Sequence, residues 1–205
     1  MIAIIDYGAG NIESVRKAFE FIGAEVVLTS DPEVLKNADA AVLPGVGSFG
    51  DAMDNINKRN LLNPIKEFAA SGKPFLGICL GLQILFESSE ESEGVEGLGI
   101  LKGKIVRIPA AEGLKIPHMG WNSLEFEKEG DIFEGLENGT YVYFVHSYYL
   151  KSEEDIVSST AQYGVKIHAS VHKNNIRACQ FHPEKSGSAG IKILKNFVSL
   201  IGEGK

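Results

Sequence analysis

Only two cysteines, Cys79 and Cys179, stand in the 205 residues, and neither belongs to a Cys-x-x-Cys pair. A disulfide framework and the common paired-thiolate motifs are therefore excluded. Basic side chains are in the minority as well: 20 Lys and Arg against 27 Asp and Glu leave a formal net charge of −7. That is the wrong balance for following a phosphate backbone, so no nucleic-acid partner is expected. No apolar run reaches the ~20 residues that cross a bilayer, so no membrane is expected either. Met1-Ile2-Ala3-Ile4-Ile5 lacks the basic flank of a secretory leader, and a cytoplasmic protein is expected. The chain shows no Pro- or Ser-rich linker, no internal repeat and no P-loop. What is present, 44% hydrophobic and 23% charged residues, is ordinary for a globular protein long enough to bury a sizeable core in one domain.

The first half alternates strand and helix patterns. Ile2 to Ile5 is a β-branched run entering the turn Asp6-Tyr7-Gly8-Ala9-Gly10-Asn11, and Ile12, Val15, Phe19 and Ile22 then recur at helical spacing up to Gly23. Gly8-x-Gly10 does not complete a dinucleotide fingerprint, because Glu13 occupies the third glycine position. Strands are expected at Glu25 to Thr29 and Ala40 to Leu43, with a short helix opened by Asp31-Pro32 between them. Such alternation implies a parallel sheet. Leu43 leads into Pro44-Gly45-Val46-Gly47-Ser48-Phe49-Gly50, a glycine loop at the carboxyl end of a strand, where open α/β sheets place their ligands. A helix is expected from Asp51, and after the acidic stretch Glu87 to Glu96 the pattern turns β-rich. Strands are predicted at Ile100 to Ile108, around Trp121, and at Tyr141 to Leu150, Ile156 to Gln162, Ile167 to Val171 and Arg177 to Phe181. An amphipathic helix, Ala189 to Ile201, follows them. The fold class expected is α/β, an open and mostly parallel sheet flanked by helices and extended by antiparallel strands in the C-terminal half.

The stretch around Cys79 organises the chemistry. Lys73-Pro74-Phe75-Leu76-Gly77-Ile78-Cys79-Leu80-Gly81-Leu82-Gln83 is an apolar run broken by Gly-x-Cys-x-Gly before a helical pattern. That is the grammar of a nucleophile elbow with a thiol in place of a hydroxyl. A small buried core cysteine fits those five residues equally well, so the choice depends on a base. Among five histidines, His168 and His172 share one face of a strand without a third metal ligand nearby, and His118 or His146 would line a cleft. His182 differs. In Gln180-Phe181-His182-Pro183-Glu184 an imidazole and a carboxylate stand two positions apart at a strand end, where both face the same side. Glu184 can orient His182, and His182 can meet Cys79 if their strands end side by side.

Gly-Ile-Cys79-Leu-Gly-Leu-Gln83 with His182-Pro-Glu184 resembles the class I glutamine amidotransferases, thiol enzymes with a Cys-His-Glu triad on an open α/β sheet. Ile5-Asp6-Tyr7-Gly8-Ala9-Gly10-Asn11, Leu43 to Gly50, Pro117-His118-Met119-Gly120-Trp121-Asn122 and Tyr143-Phe144-Val145-His146-Ser147-Tyr148 narrow the likeness to the glutaminase subunits of imidazole glycerol phosphate synthases. The blocks run in order through nearly the whole chain, as one amidotransferase domain over residues 1–205. The resemblance implies Cys79, His182 and Glu184 as catalytic residues, and Leu80 with Gly45, Val46 and Gly47 at the oxyanion hole, where a peptide of the glycine loop must reorient before it donates. It implies Gln83, Glu91, Ser147 and Tyr148 as contacts to glutamine. It also implies a separate (βα)8-barrel cyclase partner in a heterodimer, facing Asn11, Trp121, Asn122, Tyr143 and Lys185, with no cofactor and no metal. A glutaminase of another pathway would keep the chemistry and change the partner; a non-catalytic scaffold on the same fold would be expected to lose part of the triad.

Overall fold

The computed structural model describes residues 1–128 and 130–202; residue 129 and residues 203–205, inside the single domain expected over 1–205, lie outside the described residues. The first half holds β1 (Ile2–Ile5), α1 (Ile12–Phe21), β2 (Val26–Thr29), α2 (Pro32–Asn37), β3 (Ala40–Leu43), α3 (Phe49–Lys58), α4 (Leu62–Ala70), β4 (Phe75–Ile78) and α5 (Leu80–Ile84). Local chemistry accounts for most boundaries. Asp31 accepts from the Glu33 N–H ahead of Pro32, and Ser48 accepts from the Asp51 N–H, so each caps a helix N-terminus. The Ser48 cap starts α3 two residues before the expected Asp51. Helix α4 was not anticipated; its buried Ile65, Phe68 and Ala69 form a short stripe beginning just after the Asn60-Leu61 turn.

The remaining elements are β5 (Ser88–Ser89), β6 (Gly103–Arg107), β7 (His118–Ser123), β8 (Glu125–Phe126), β9 (Tyr141–His146), β10 (Tyr148–Ser152), β11 (Val157–Tyr163), β12 (Val165–Lys173), β13 (Ile176–Cys179) and α6 (Gly187–Ser199). The main sheet runs β2-β1-β3-β4-β13-β12-β10-β6-β5, with β11 on β12 and β8 on β11. Its first five strands are mutually parallel, and β12, β10 and β6 extend it in antiparallel pairings. The expected single strand Tyr141 to Leu150 is two: it breaks at Ser147, β9 joining β7 in a separate two-stranded sheet and β10 entering the main one.

Strands β1, β3 and β4 are buried at every residue because helices cover both faces, which is why they read as apolar runs without alternation. Successive side chains go to opposite layers. Ile5, Leu43 and Phe75 pack with Phe49, Met53 and Phe68, while Ile4, Val42 and Leu76 pack with Phe19, Phe181 and Phe197. Two parallel neighbours position the site. Cys179 is paired with Ile78 across β13 and β4, so Cys79 and the segment Gln180 to Glu184 leave the sheet side by side at its carboxyl end.

Candidate active site

Cys79 occupies a backbone conformation that few residues adopt, φ 54° and ψ −106°. Holding a non-glycine residue there costs about 1–3 kcal/mol, and its surroundings leave no alternative: the Cys79 N–H donates to the Cys179 carbonyl at 2.7 Å, and its own carbonyl accepts from the Gln83 N–H. The flanking glycines are required by contact. A Cβ on Gly81 would lie 1.8 Å from the Leu43 carbonyl oxygen, and one on Gly77 would meet the Gly81 carbonyl at 3.0 Å. Helix and sheet approach each other so closely only without those side chains, and the thiol is thereby raised at the turn.

Behind the thiol, His182 Nδ1 lies 2.7 Å from Glu184 Oε1, so the neutral or charged ring donates from Nδ1 and turns Nε2 free. Both side chains are buried. Among the described residues neither His182 Nε2 nor Glu184 Oε2 has a hydrogen-bond partner. Burial lowers the His182 pKa, but the nearby Cys79 sulfur and the Glu184 carboxylate outweigh it and hold the imidazole at about 10. The site therefore favours an imidazolium at His182. Asn11, in the turn after β1, donates from Nδ2 to Glu184 Oε1 at 2.7 Å, a role that its position among the expected interface residues did not reveal.

In front of the thiol is a cleft of about 320 Å³ lined by Val46, Gly47, Cys79, Leu80, Gln83, Glu91, Pro117, Val145, His146, Ser147 and Tyr148. The structure thus brings the triad candidates, the glycine loop and all four expected glutamine contacts to one place. Three details go beyond the sequence. The Leu80 N–H, the first expected oxyanion donor, is bonded to the Gly45 carbonyl at 3.3 Å. Gln83 Nε2 donates both to the Tyr148 carbonyl and to Gln180 Oε1, each at 3.1 Å. Glu91, the one acidic-stretch carboxylate at the cleft, accepts from the Phe49 N–H with Oε2 and so also caps α3. Tyr7 holds the glycine loop from below, donating to the Pro44 carbonyl at 2.9 Å; burial, then the charge of Cys79, pushes its phenol well above the ordinary range. Gly10 leaves room for Val46, whose Cγ2 would lie 2.9 Å from a Cβ there, and Gly8 has φ 90°, so each glycine of the Gly8-x-Gly10 pair has a reason without a nucleotide.

A model of the class-I glutamine amidotransferase family matches residues 3–200. The chain belongs to the class-I glutamine amidotransferases. The amidotransferase is 52% identical over 203 residues to the imidazole glycerol phosphate synthase subunit HisH of Methanothermobacter thermautotrophicus, covering 98% of this chain and 99% of that protein. It is 51% identical to the subunit of the same name from Caldanaerobacter subterraneus subsp. tengcongensis, with 98% of each chain covered. Among solved structures, a glutamine amidotransferase crystal structure superposes with a TM-score of 0.76 at 18% identity, over 98% of this chain and 100% of that one, a likeness of fold.

Two further features of the amidotransferase lie on β7 and β9. His146 Nδ1 lies 2.8 Å from the Tyr148 carbonyl, His146 Nε2 lies 3.0 Å from His118 Nδ1, and His118 Nε2 lies 3.3 Å from Asn122 Nδ2. A carbonyl only accepts, so His146 donates from Nδ1, His118 donates to His146, and Asn122 donates to His118. Burial lowers His118 to about 4, and burial with the neighbouring histidines lowers His146 to about 3, so both rings stay neutral and the direction of the chain is fixed. Asn122 is turned inward, its amide also donating to the Gln162 carbonyl. Trp121 is the opposite case: it is 56% exposed, beside Met119 at 62% and Tyr141 at 60%, with Tyr143 edge-on to its ring and Lys185 over Tyr143. This apolar patch sits on β7 and β9, and β9 is tied to the triad turn because the Tyr143 carbonyl accepts from the His182 N–H at 2.9 Å.

Proposed function

We propose that this chain is the glutaminase subunit of an imidazole glycerol phosphate synthase. It hydrolyses glutamine to glutamate and ammonia and passes the ammonia to a cyclase subunit, a (βα)8 barrel, which forms imidazole glycerol phosphate and aminoimidazole carboxamide ribonucleotide in histidine biosynthesis. The observation that carries the chemistry is the raised Cys79 at the cleft with the His182–Glu184 pair behind it.

The Cys79 thiolate attacks the side-chain amide carbon of glutamine, and the former carbonyl oxygen takes the negative charge. Protonated His182 gives its Nε2 proton to the departing nitrogen, ammonia leaves, and a glutamyl thioester remains. Neutral His182 then takes a proton from water as its oxygen attacks the thioester; the carbon–sulfur bond breaks, releasing glutamate and restoring the thiolate. Glu184 keeps the imidazole in the working orientation throughout, and Asn11 keeps Glu184.

The oxyanion requires donors, and an N–H aimed at it contributes roughly 3 kcal/mol. Leu80 and the Gly45-Val46-Gly47 loop supply them, but with the Gly45 carbonyl on the Leu80 N–H the hole is closed. Turning over the Gly45–Val46 peptide withdraws that carbonyl and presents the Val46 N–H, a motion that the glycines on either side of Val46 permit. Gln83 and Glu91 hold the amino-acid end of glutamine, with the backbone of Ser147 and Tyr148 facing its carboxylate. The cyclase docks on the Trp121, Tyr143 and Lys185 side, in one domain with the cleft. Cytoplasmic placement fits a biosynthetic enzyme; no helix among the described residues is long and apolar enough to cross a membrane.

Glutamate release by the purified chain tests the reading, alone and with the cyclase and its ribonucleotide, with Cys79→Ala as the blank. Low activity alone and a large rise in the full mixture is the expected result. Equal activity in every mixture, or activity that survives Cys79→Ala, would overturn it.

A further inference from the structure

The sulfur of Cys79 has a hydrogen-bond donor that the triad chemistry leaves out. Gln180, fully buried, stands one residue past β13 and two before His182. Its Nε2 lies 3.7 Å from Cys79 Sγ, and its Oε1 accepts from Gln83 Nε2 at 3.1 Å. An amide side chain can be turned over without changing its shape, so its orientation must come from its neighbours. Here they decide it. The Tyr148 carbonyl can only accept, so Gln83 presents its NH2 group there; that same group needs an oxygen on Gln180, and the Gln180 NH2 is left facing the sulfur. His182 Nε2, by contrast, meets no hydrogen-bond partner among the described residues.

We infer that the Gln180 amide is a positioning donor for the Cys79 thiolate: in the glutamine-free enzyme it holds the sulfur and stabilises its negative charge, and through Gln83 it ties the sulfur to the amino-acid end of the cleft. The inference rests on the proposed role of Cys79 as nucleophile. Hydrogen bonds to an ionised acceptor are roughly twice as strong as those between neutral groups. Cys79 is 7% exposed, so water replaces a lost donor poorly. The His182–Glu184 pair supplies the proton chemistry; Gln180 supplies a donor with no proton to lose in the working range, so its hydrogen bond to the sulfur persists whatever the protonation of the imidazole.

The pH dependence of Cys79 alkylation by iodoacetamide in the glutamine-free chain reads this directly, with the modified cysteine identified by peptide mass. Gln180→Met keeps the volume and removes the donor. Its alkylation midpoint should move up by about one pH unit, a roughly tenfold fall in rate at any pH below both midpoints and a differential of 1.36 kcal/mol. Gln180→Glu puts an acceptor where the donor stood and should move the midpoint at least as far, giving a second reading if the Met variant does not fold. Gln83→Met removes the partner of the Gln180 oxygen but keeps the Gln180 NH2 group, and should move it less. An unchanged midpoint in a folded Gln180 variant, or a larger shift from Gln83→Met than from Gln180→Met, would overturn the inference. If alkylation of Cys79 left glutamate release intact, the nucleophile assignment itself would fail, an outcome separable from the other two.

Discussion

Asn11 offers the sharpest separation between a surface role and a role inside the site. Its Nδ2 lies 2.7 Å from Glu184 Oε1, the same oxygen that accepts from His182, and Glu184 Oε2 has no partner among the described residues. Asn11→Ala would leave a fully buried carboxylate with one hydrogen bond, that to the imidazole. Hydrogen bonds to charged groups contribute about 1.5–3 kcal/mol, which at 1.36 kcal/mol per decade is roughly a tenfold to hundredfold effect if it falls on the transition state. Glutamate release at saturating cyclase and ribonucleotide is the assay, with kcat and KM for glutamine measured separately and urea unfolding alongside. The expected result is a kcat lower by about that factor, KM nearly unchanged, and a stability loss of comparable size. The interface expectation makes a different prediction: wild-type kcat once cyclase is saturating, with only its apparent affinity weakened. That second pattern would refute the argument that Asn11 acts through Glu184.

Gly81→Ala should cost more than 3 kcal/mol in urea unfolding, or prevent folding, because its Cβ would sit 1.8 Å from backbone oxygen with no flexible neighbour to give way. For His182, whose folded-state value of about 10 lies above its ordinary 6.5, the linked stability is fully present below pH 6.5 and is lost as pH rises through about 10. The unfolding midpoint should decline over that window in wild type, and His182→Asn should remove this part of the slope. Glutaminase kcat/KM should fall above about pH 10, as the imidazolium that protonates the leaving nitrogen disappears from the free enzyme. His118→Phe keeps a ring between Phe144 and Tyr163 but deprives buried His146 Nε2 of its donor, so a stability loss of about 1–3 kcal/mol is expected by denaturant titration. Trp121→Ala should weaken cyclase binding by about 2 kcal/mol, roughly thirtyfold in Kd by calorimetry, while Cys79 alkylation in the isolated chain stays as in wild type.

The first strands of the parallel half were legible because buried strands leave uninterrupted apolar runs; Ala40 to Leu43 is β3 residue for residue. The break at Ser147 was not legible. Tyr141 to Leu150 carries one continuous β pattern, and which sheet each half joins depends on partners far away in the chain, β7 for one and β6 with β12 for the other. The same holds within the site. Gly-x-Cys79-x-Gly and His182-x-Glu184 could be found in the sequence because elbow geometry and strand alternation act over a few residues. Asn11 is 173 positions from Glu184, and Gln180 is 101 from Cys79; no local spacing connects them.

By itself, then, the sequence marked out the thiol, imidazole and carboxylate proposed as nucleophile, base and orienting group, since elbow and strand-end patterns are short-range constraints of turn and strand. Tertiary structure alone decided what surrounds them. The β4–β13 pairing set thiol and imidazole side by side, the Gly45 carbonyl closed the Leu80 N–H, and Asn122 was drawn inward to the histidine chain while Trp121 stayed exposed. Each of these depends on which backbone groups are left without local partners, and a buried donor or acceptor takes its partner from whatever the fold brings within reach.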